Sequence, residues 1–95
     1  MITVKVRAIF HLKEMLGAKE ITLNLRRNAT IKDLIQFLIE KYGKKFEDAI
    51  KNPDGGLNPI ITILVNGRQI DFIGGIETKL ADGDIISFIP PVGGG

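Results

Sequence analysis

The sequence predicts an α+β domain in which a mixed sheet packs one main helix on one of its faces. Three observations predict it. Apolar and polar residues alternate at the start, with Ile2, Val4, Val6, Ala8 and Phe10 against Thr3, Lys5, Arg7 and Ile9. One segment has helical spacing, with Ile31, Leu34, Ile35, Leu38, Ile39 and Tyr42 on a single face. Short β-branched runs near the other end are separated by tight-turn residues, Asn66-Gly67 and Asp82-Gly83-Asp84.

The first strand runs from Ile2 to Phe10, and residues 11–17 form a short helical turn or loop that Gly17 stops. Ile21, Leu23 and Leu25 alternate with Thr22, Asn24 and Arg26, giving a second strand antiparallel to the first. Thr30 caps the main helix over 31–42, with Asp33 in its first turn and Gly43 at its end. Residues 44–52 form a second short helix with Phe46, Ala49 and Ile50 inward, and 53–59 form a loop. Residues 60–65 make a β-branched strand, 68–70 return from the Asn66-Gly67 turn, and 71–80 are irregular. A last strand over 85–89 ends at Pro90-Pro91. If the first and last strands lie side by side and parallel, the fold is the β-grasp (ubiquitin-like) fold. The expected division is a β-grasp domain over 1–89 and an extended glycine-rich tail over 90–95.

Composition excludes several function classes. Ninety-five residues leave room for one core. Thirteen basic against eleven acidic residues give a net charge of +2, too balanced to indicate nucleic acid. The absence of cysteine excludes disulfides, thiolate metal sites and a thiol nucleophile. No apolar run approaches the ~20 residues of a membrane span, and the N-terminus lacks the continuous apolar stretch of a signal peptide. The expectation is a soluble, cytoplasmic protein with no membrane or nucleic-acid partner.

No self-contained active site is visible. His11 is the single histidine, with no second imidazole to share a metal, so no metal site is expected. Asp82 and Asp84 read as turn chemistry. The tail is different. No residue after Asp84 is charged, Pro90-Pro91 favours an extended chain, and Gly93, Gly94 and Gly95 carry no Cβ to crowd a narrow channel. From Pro90 the tail spans about 20 Å at ~3.3 Å per residue. That suits a carboxylate used as a substrate by another protein's active site. Adenylation requires close approach of the α-phosphate of ATP, and the acyl adenylate must then accept a sulfur or nitrogen nucleophile. The domain supplies none of this chemistry, so an activating enzyme is implied.

The run from Leu80 through Asp82-Gly83-Asp84 to Pro90-Pro91-Val92-Gly93-Gly94-Gly95 resembles the ending of the MoaD-like small subunit of molybdopterin synthase, in the MoaD/ThiS group of ubiquitin-like sulfur carriers. Val65-Asn66-Gly67 matches that family's hairpin, and residues 13–17 resemble its basic-Glu-x-x-Gly loop. The resemblance covers essentially the whole chain. It implies that Gly95 is adenylated by a ubiquitin-activating-type adenylyltransferase using ATP. A sulfur donor then converts it to a thiocarboxylate, which delivers sulfur to a pterin precursor inside the large synthase subunit. It further implies that Gly94 threads the channel with Gly93, Val92 and Pro91, that Phe88 and Ile89 belong to an apolar docking face, and that Lys13 makes a basic contact. Alternation requires one of Phe88 and Ile89 to face the core. The chain itself would be a non-catalytic subunit with no bound cofactor.

The extra residues around 44–59 resemble archaeal members, in which similar proteins are also joined through the last glycine to lysines of target proteins. A ubiquitin-like modifier is therefore the alternative. A carrier for thiazole synthesis fits less well, because Pro90-Pro91 is not part of that pattern.

Overall fold

The computed structural model describes residues 1–91. Strand β1 (Ile2–Ala8) buries Ile2, Val4, Val6 and Ala8 and exposes the residues between them. It ends two residues before the alternation does. Phe10 takes a left-handed φ of 55° and opens helix α1 (Phe10–Leu16), which buries Leu12 and Leu16. Gly17, at φ 79°, closes α1 by donating its N–H to the carbonyls of Lys13 and Glu14, a conformation that suits a residue without Cβ. Strand β2 (Glu20–Leu25) returns antiparallel to β1, from Arg7 opposite Glu20 to Ile2 opposite Leu25.

Helix α2 (Ile31–Tyr42) starts from a reciprocal cap. The Asp33 N–H donates to Thr30 Oγ1 at 3.3 Å, while Asp33 Oδ2 accepts from the Thr30 N–H at 2.9 Å. Of the six residues spaced for one face, Ile31, Leu34, Ile35 and Leu38 are buried and Ile39 and Tyr42 half-buried. Helix α3 (Lys44–Ile50) adds Phe46 and Ile50 to the core, with Ala49 half-buried beside them.

The next strand, β3 (Thr62–Val65), starts later than its β-branched run. Asn58 takes the two preceding amides, its Oδ1 accepting from the Ile60 N–H and its carbonyl from the Ile61 N–H, so those residues turn instead of pairing. Asn66 and Gly67, at φ 51° and 88°, form the expected two-residue turn into β4 (Arg68–Gln69). Ile70 does not continue the strand. It begins a 3₁₀ turn over Ile70–Phe72 and is buried, and a second such turn spans Gly75–Glu77.

Strand β5 (Ile85–Ile89) enters the middle of the sheet. It runs parallel to β1, with Lys5 opposite Ile85 and Ala8 opposite Phe88, and antiparallel to β3, with Thr62 opposite Ile89. The order is β2-β1-β5-β3-β4. The sheet's inner face and the helices enclose one continuous core, so the fold is a β-grasp.

Candidate functional site

The site is the end of the sheet where β5 delivers the tail. Pro90, expected to open that tail, is fully buried, and Pro91 is the first exposed position after the strand. The chain is thus held one residue further than alternation implies. Val92, Gly93, Gly94 and Gly95 lie outside the described residues.

Phe88 and Ile89 do not act as a pair. Phe88 is 1% exposed and meets Phe46 edge-on, with ring centroids 6.1 Å apart. Its expected place on a docking face is therefore corrected: the ring belongs to the core. Ile89 stands on the opposite face, half-buried, and keeps surface to offer.

Among the described residues, no helix covers that opposite face in the region of β3 and β5. Ile85, Ser87 and Ile89 of β5 and Thr62 and Leu64 of β3 are all only half-buried there. The register sets Leu64 opposite Ser87 and Thr62 opposite Ile89, so Ile85, Leu64 and Ile89 form an apolar strip leading toward the tail. Sequence reading missed Ile85 and Leu64. The available signal was that both runs are apolar at nearly every position, whereas a strand covered on one face alternates.

On the β1 side the same end is charged. Arg7 Nε donates to Glu20 Oε1 at 2.8 Å, and this bond holds the Glu20 carboxyl below its ordinary value. A depression of about 380 Å³ there is lined by Arg7, Ala8, Ile9, Lys19 and Glu20. Lys13 is exposed on α1, which Leu12 and Leu16 anchor, and it makes no ion pair among the described residues. It is thus available for the basic contact expected of it.

The acidic turn at the far end of β5 is a structural latch. The Thr3 N–H donates to Asp82 Oδ1 at 2.7 Å and the Ala81 N–H to Asp84 Oδ2 at 2.8 Å. Asn66 bridges two turns, donating to Asp84 Oδ1 and accepting from the Ile85 N–H, both at 2.9 Å. These bonds fix where β5 begins and so where it ends. His11 is exposed, and no group of three or more His, Asp or Glu among the described residues is arranged to hold a metal.

A cleft of about 520 Å³ beside α3 is lined by Lys44, Glu47, Asp48 and Lys51 among others. Its charges pair with one another, Lys44 with Asp48 at 3.1 Å and Lys51 with Glu47 at 3.7 Å, and its residues lie in the 44–55 segment, apart from the tail. The Asp48 carboxylate raises the Lys44 ammonium above its ordinary value. No helix of the described residues is long and apolar enough to cross a membrane.

The sequence profile of the ThiS family matches residues 9–95. A proposed sulfur carrier protein of Archaeoglobus fulgidus is 42% identical over 66 residues, covering 70% of this chain and 74% of that protein. Small archaeal modifier protein 3 of Haloferax volcanii is 35% identical over 83 residues, covering 87% and 88% respectively. Among solved structures, a proposed molybdopterin converting factor subunit 1 of Pyrococcus furiosus superposes with a TM-score of 0.76 at 26% identity, covering 97% of this chain and all of that one.

Proposed function

This chain belongs to the ThiS family, and from that premise we propose that it is a cytoplasmic sulfur carrier in molybdopterin biosynthesis, with the Gly95 carboxylate as its working group. A carboxylate oxygen attacks the α-phosphorus of ATP in a ubiquitin-activating-type adenylyltransferase, and pyrophosphate leaves. Sulfide supplied by a donor then attacks the acyl carbon and AMP leaves, giving a thiocarboxylate. In the large subunit of molybdopterin synthase that sulfur is passed to the pterin precursor. ATP is a substrate of the partner, and the chain itself holds no cofactor.

One observation carries this reading. The uncharged tail leaves the central strand from a buried Pro90, beside an uncovered apolar strip of Ile85, Leu64 and Ile89. A central strand cannot fray without breaking ladders on both sides, so the tail starts from a fixed point, as insertion into another active site requires. In this role Pro91, Val92, Gly93 and Gly94 occupy the partner's channel, Ile89 seats on the partner, and Lys13 meets a carboxylate there.

The alternative is a protein modifier, favoured by the 35% identical archaeal modifier protein. Activation is the same, but a lysine amine of a target protein takes the acyl group. Intact-mass measurement of the protein from its own cells tests both. A fraction in which one oxygen of the terminal peptide is exchanged for sulfur supports the carrier. An unmodified carboxylate, together with species joining Gly95 to lysine, replaces that reading with the modifier.

A further inference from the structure

Among the described residues, three other than glycine hold a positive φ: Phe10 at 55°, Asn28 at 70° and Asn66 at 51°. Asparagine tolerates the left-handed region because its short amide bonds locally, whereas a bulky aromatic there is an outlier. At positions 28 and 66 the residue type suits the backbone. At position 10 it opposes the backbone.

The hydrophobic core does not include the Phe10 ring. Phe10 is 52% exposed, while Phe46 and Phe88 are each 1% exposed. Helix α1 is anchored by Leu12 and Leu16, at 0% and 6%. A strained residue whose side chain stays largely out of the core points to a role beyond the domain.

Its position indicates which role. β1 and β5 run parallel with Ala8 opposite Phe88, so Phe10 and Pro90 each follow two residues later at the same end of the sheet. Ile9, 41% exposed, adjoins Phe10, and Lys13 lies three residues along α1, on the neighbouring turn. Gly95 lies four residues beyond Pro91, a contour of at most ~14 Å. An enzyme acting on Gly95 must therefore bring its body against this end.

We propose that Phe10 is an aromatic anchor for the enzyme that adenylates this chain, its ring seated in an apolar socket beside the tail channel and Lys13 facing an acidic rim. The proposal rests on the functional reading above, in which carrier and modifier share the adenylation step. Aromatic side chains, Phe among them, are enriched at interfaces, and removing an aromatic anchor weakens binding without touching the reacting atoms.

The test is ATP–pyrophosphate exchange by the adenylating enzyme of the same cells, with the parent chain and its Phe10→Asn, Phe10→Gly and Phe10→Tyr variants as substrates. Thermal melting of each variant runs alongside. Asn and Gly suit the left-handed backbone, so their melting points should equal or exceed the parent's. Their KM should rise about tenfold or more with kcat unchanged, while Phe10→Tyr stays near the parent. Parent-like KM for Phe10→Asn and Phe10→Gly, with the parent active, overturns the anchor alone. A lowered melting point for Phe10→Asn also overturns it, since the ring then serves the fold. No exchange with the parent chain overturns the functional reading and this proposal together.

Discussion

Phe88 and Ile89 are neighbours in sequence on opposite faces of β5, and substituting each in turn separates the core from the proposed docking surface. Phe88 is 1% exposed and packs edge-on against Phe46, so Phe88→Ala empties a ring-sized volume from the centre of the core. Such truncations cost about 3–5 kcal/mol. Against a total of about 5–15 kcal/mol for a domain, that is a large share of the stability. At ~4–8 °C per kcal/mol for a chain of this size, the melting point should fall by at least about 12 °C. Ile89 is half-buried on the face without a helix, and Ile89→Ser forfeits only part of the ~1.5–3 kcal/mol that full burial of such a side chain provides. Its expected loss is about 1 kcal/mol or less, accompanied, under the proposed function, by weaker binding to the large synthase subunit. The chain has no tryptophan and one tyrosine, so urea unfolding is best followed by far-ultraviolet circular dichroism with linear extrapolation. An Ile89→Ser loss as large as that of Phe88→Ala, or a Phe88→Ala loss under about 1 kcal/mol, would refute the assignment of the two faces.

Asn66→Ala removes both bonds of the bridge to Asp84 and Ile85 and leaves a Cβ-bearing residue without a local amide at φ 51°. The left-handed conformation and the lost bonds together should cost roughly 2–3 kcal/mol in urea unfolding. Asn66→Gly, which relieves the conformation but not the bridge, should cost less, and equal losses would place the whole effect in the hydrogen bonds. The Thr30 N–H, and after it the Thr30 hydroxyl and Arg26, hold the Asp33 carboxyl below its ordinary value of 3.8 against a smaller opposing effect of burial. Because the folded-state value is the lower one, the stabilisation is present above pH 3.8 and is lost as pH falls through the folded value. The difference in urea midpoint between the parent and Asp33→Asn should therefore be full at neutral pH and shrink in acid; a pH-independent difference contradicts the cap. Deleting Gly95 should leave the melting point unchanged and abolish thiocarboxylate formation, and sulfur transfer by the shortened chain would remove Gly95 from the chemistry.

Local chemistry explains what could be read in advance. Alternation placed β1 and β2, the 3.6-residue spacing placed α2, and Asn66-Gly67 placed the turn before β4, because each signal spans only a few residues. The same locality explains the misses. Alternation over residues 2–10 cannot show that the backbone turns left-handed at Phe10, and the β-branched run from Ile60 cannot show that Asn58 takes the amides of Ile60 and Ile61. Asp82 and Asp84 were legible as turn residues, but not as acceptors for the amides of Thr3 and Ala81, since one of those partners lies at the other end of the chain.

The site divides in the same way. The residue pattern was enough to show that no residue after Asp84 is charged, that Lys13 opens a Lys-Glu-x-x-Gly pattern, and that one of Phe88 and Ile89 must face inward. Covalent order and side-chain chemistry are enough for those conclusions. The pairing of the strands in space was needed to show that Phe88 is the inward one, that Ile85, Leu64 and Ile89 share a half-buried face, and that Phe10 stands at the end where the tail departs. Each of those depends on β5 lying parallel beside β1 and antiparallel to β3. The β1–β5 pairing joins residues eighty positions apart, and its register is set by the whole core and not by any local run of the chain.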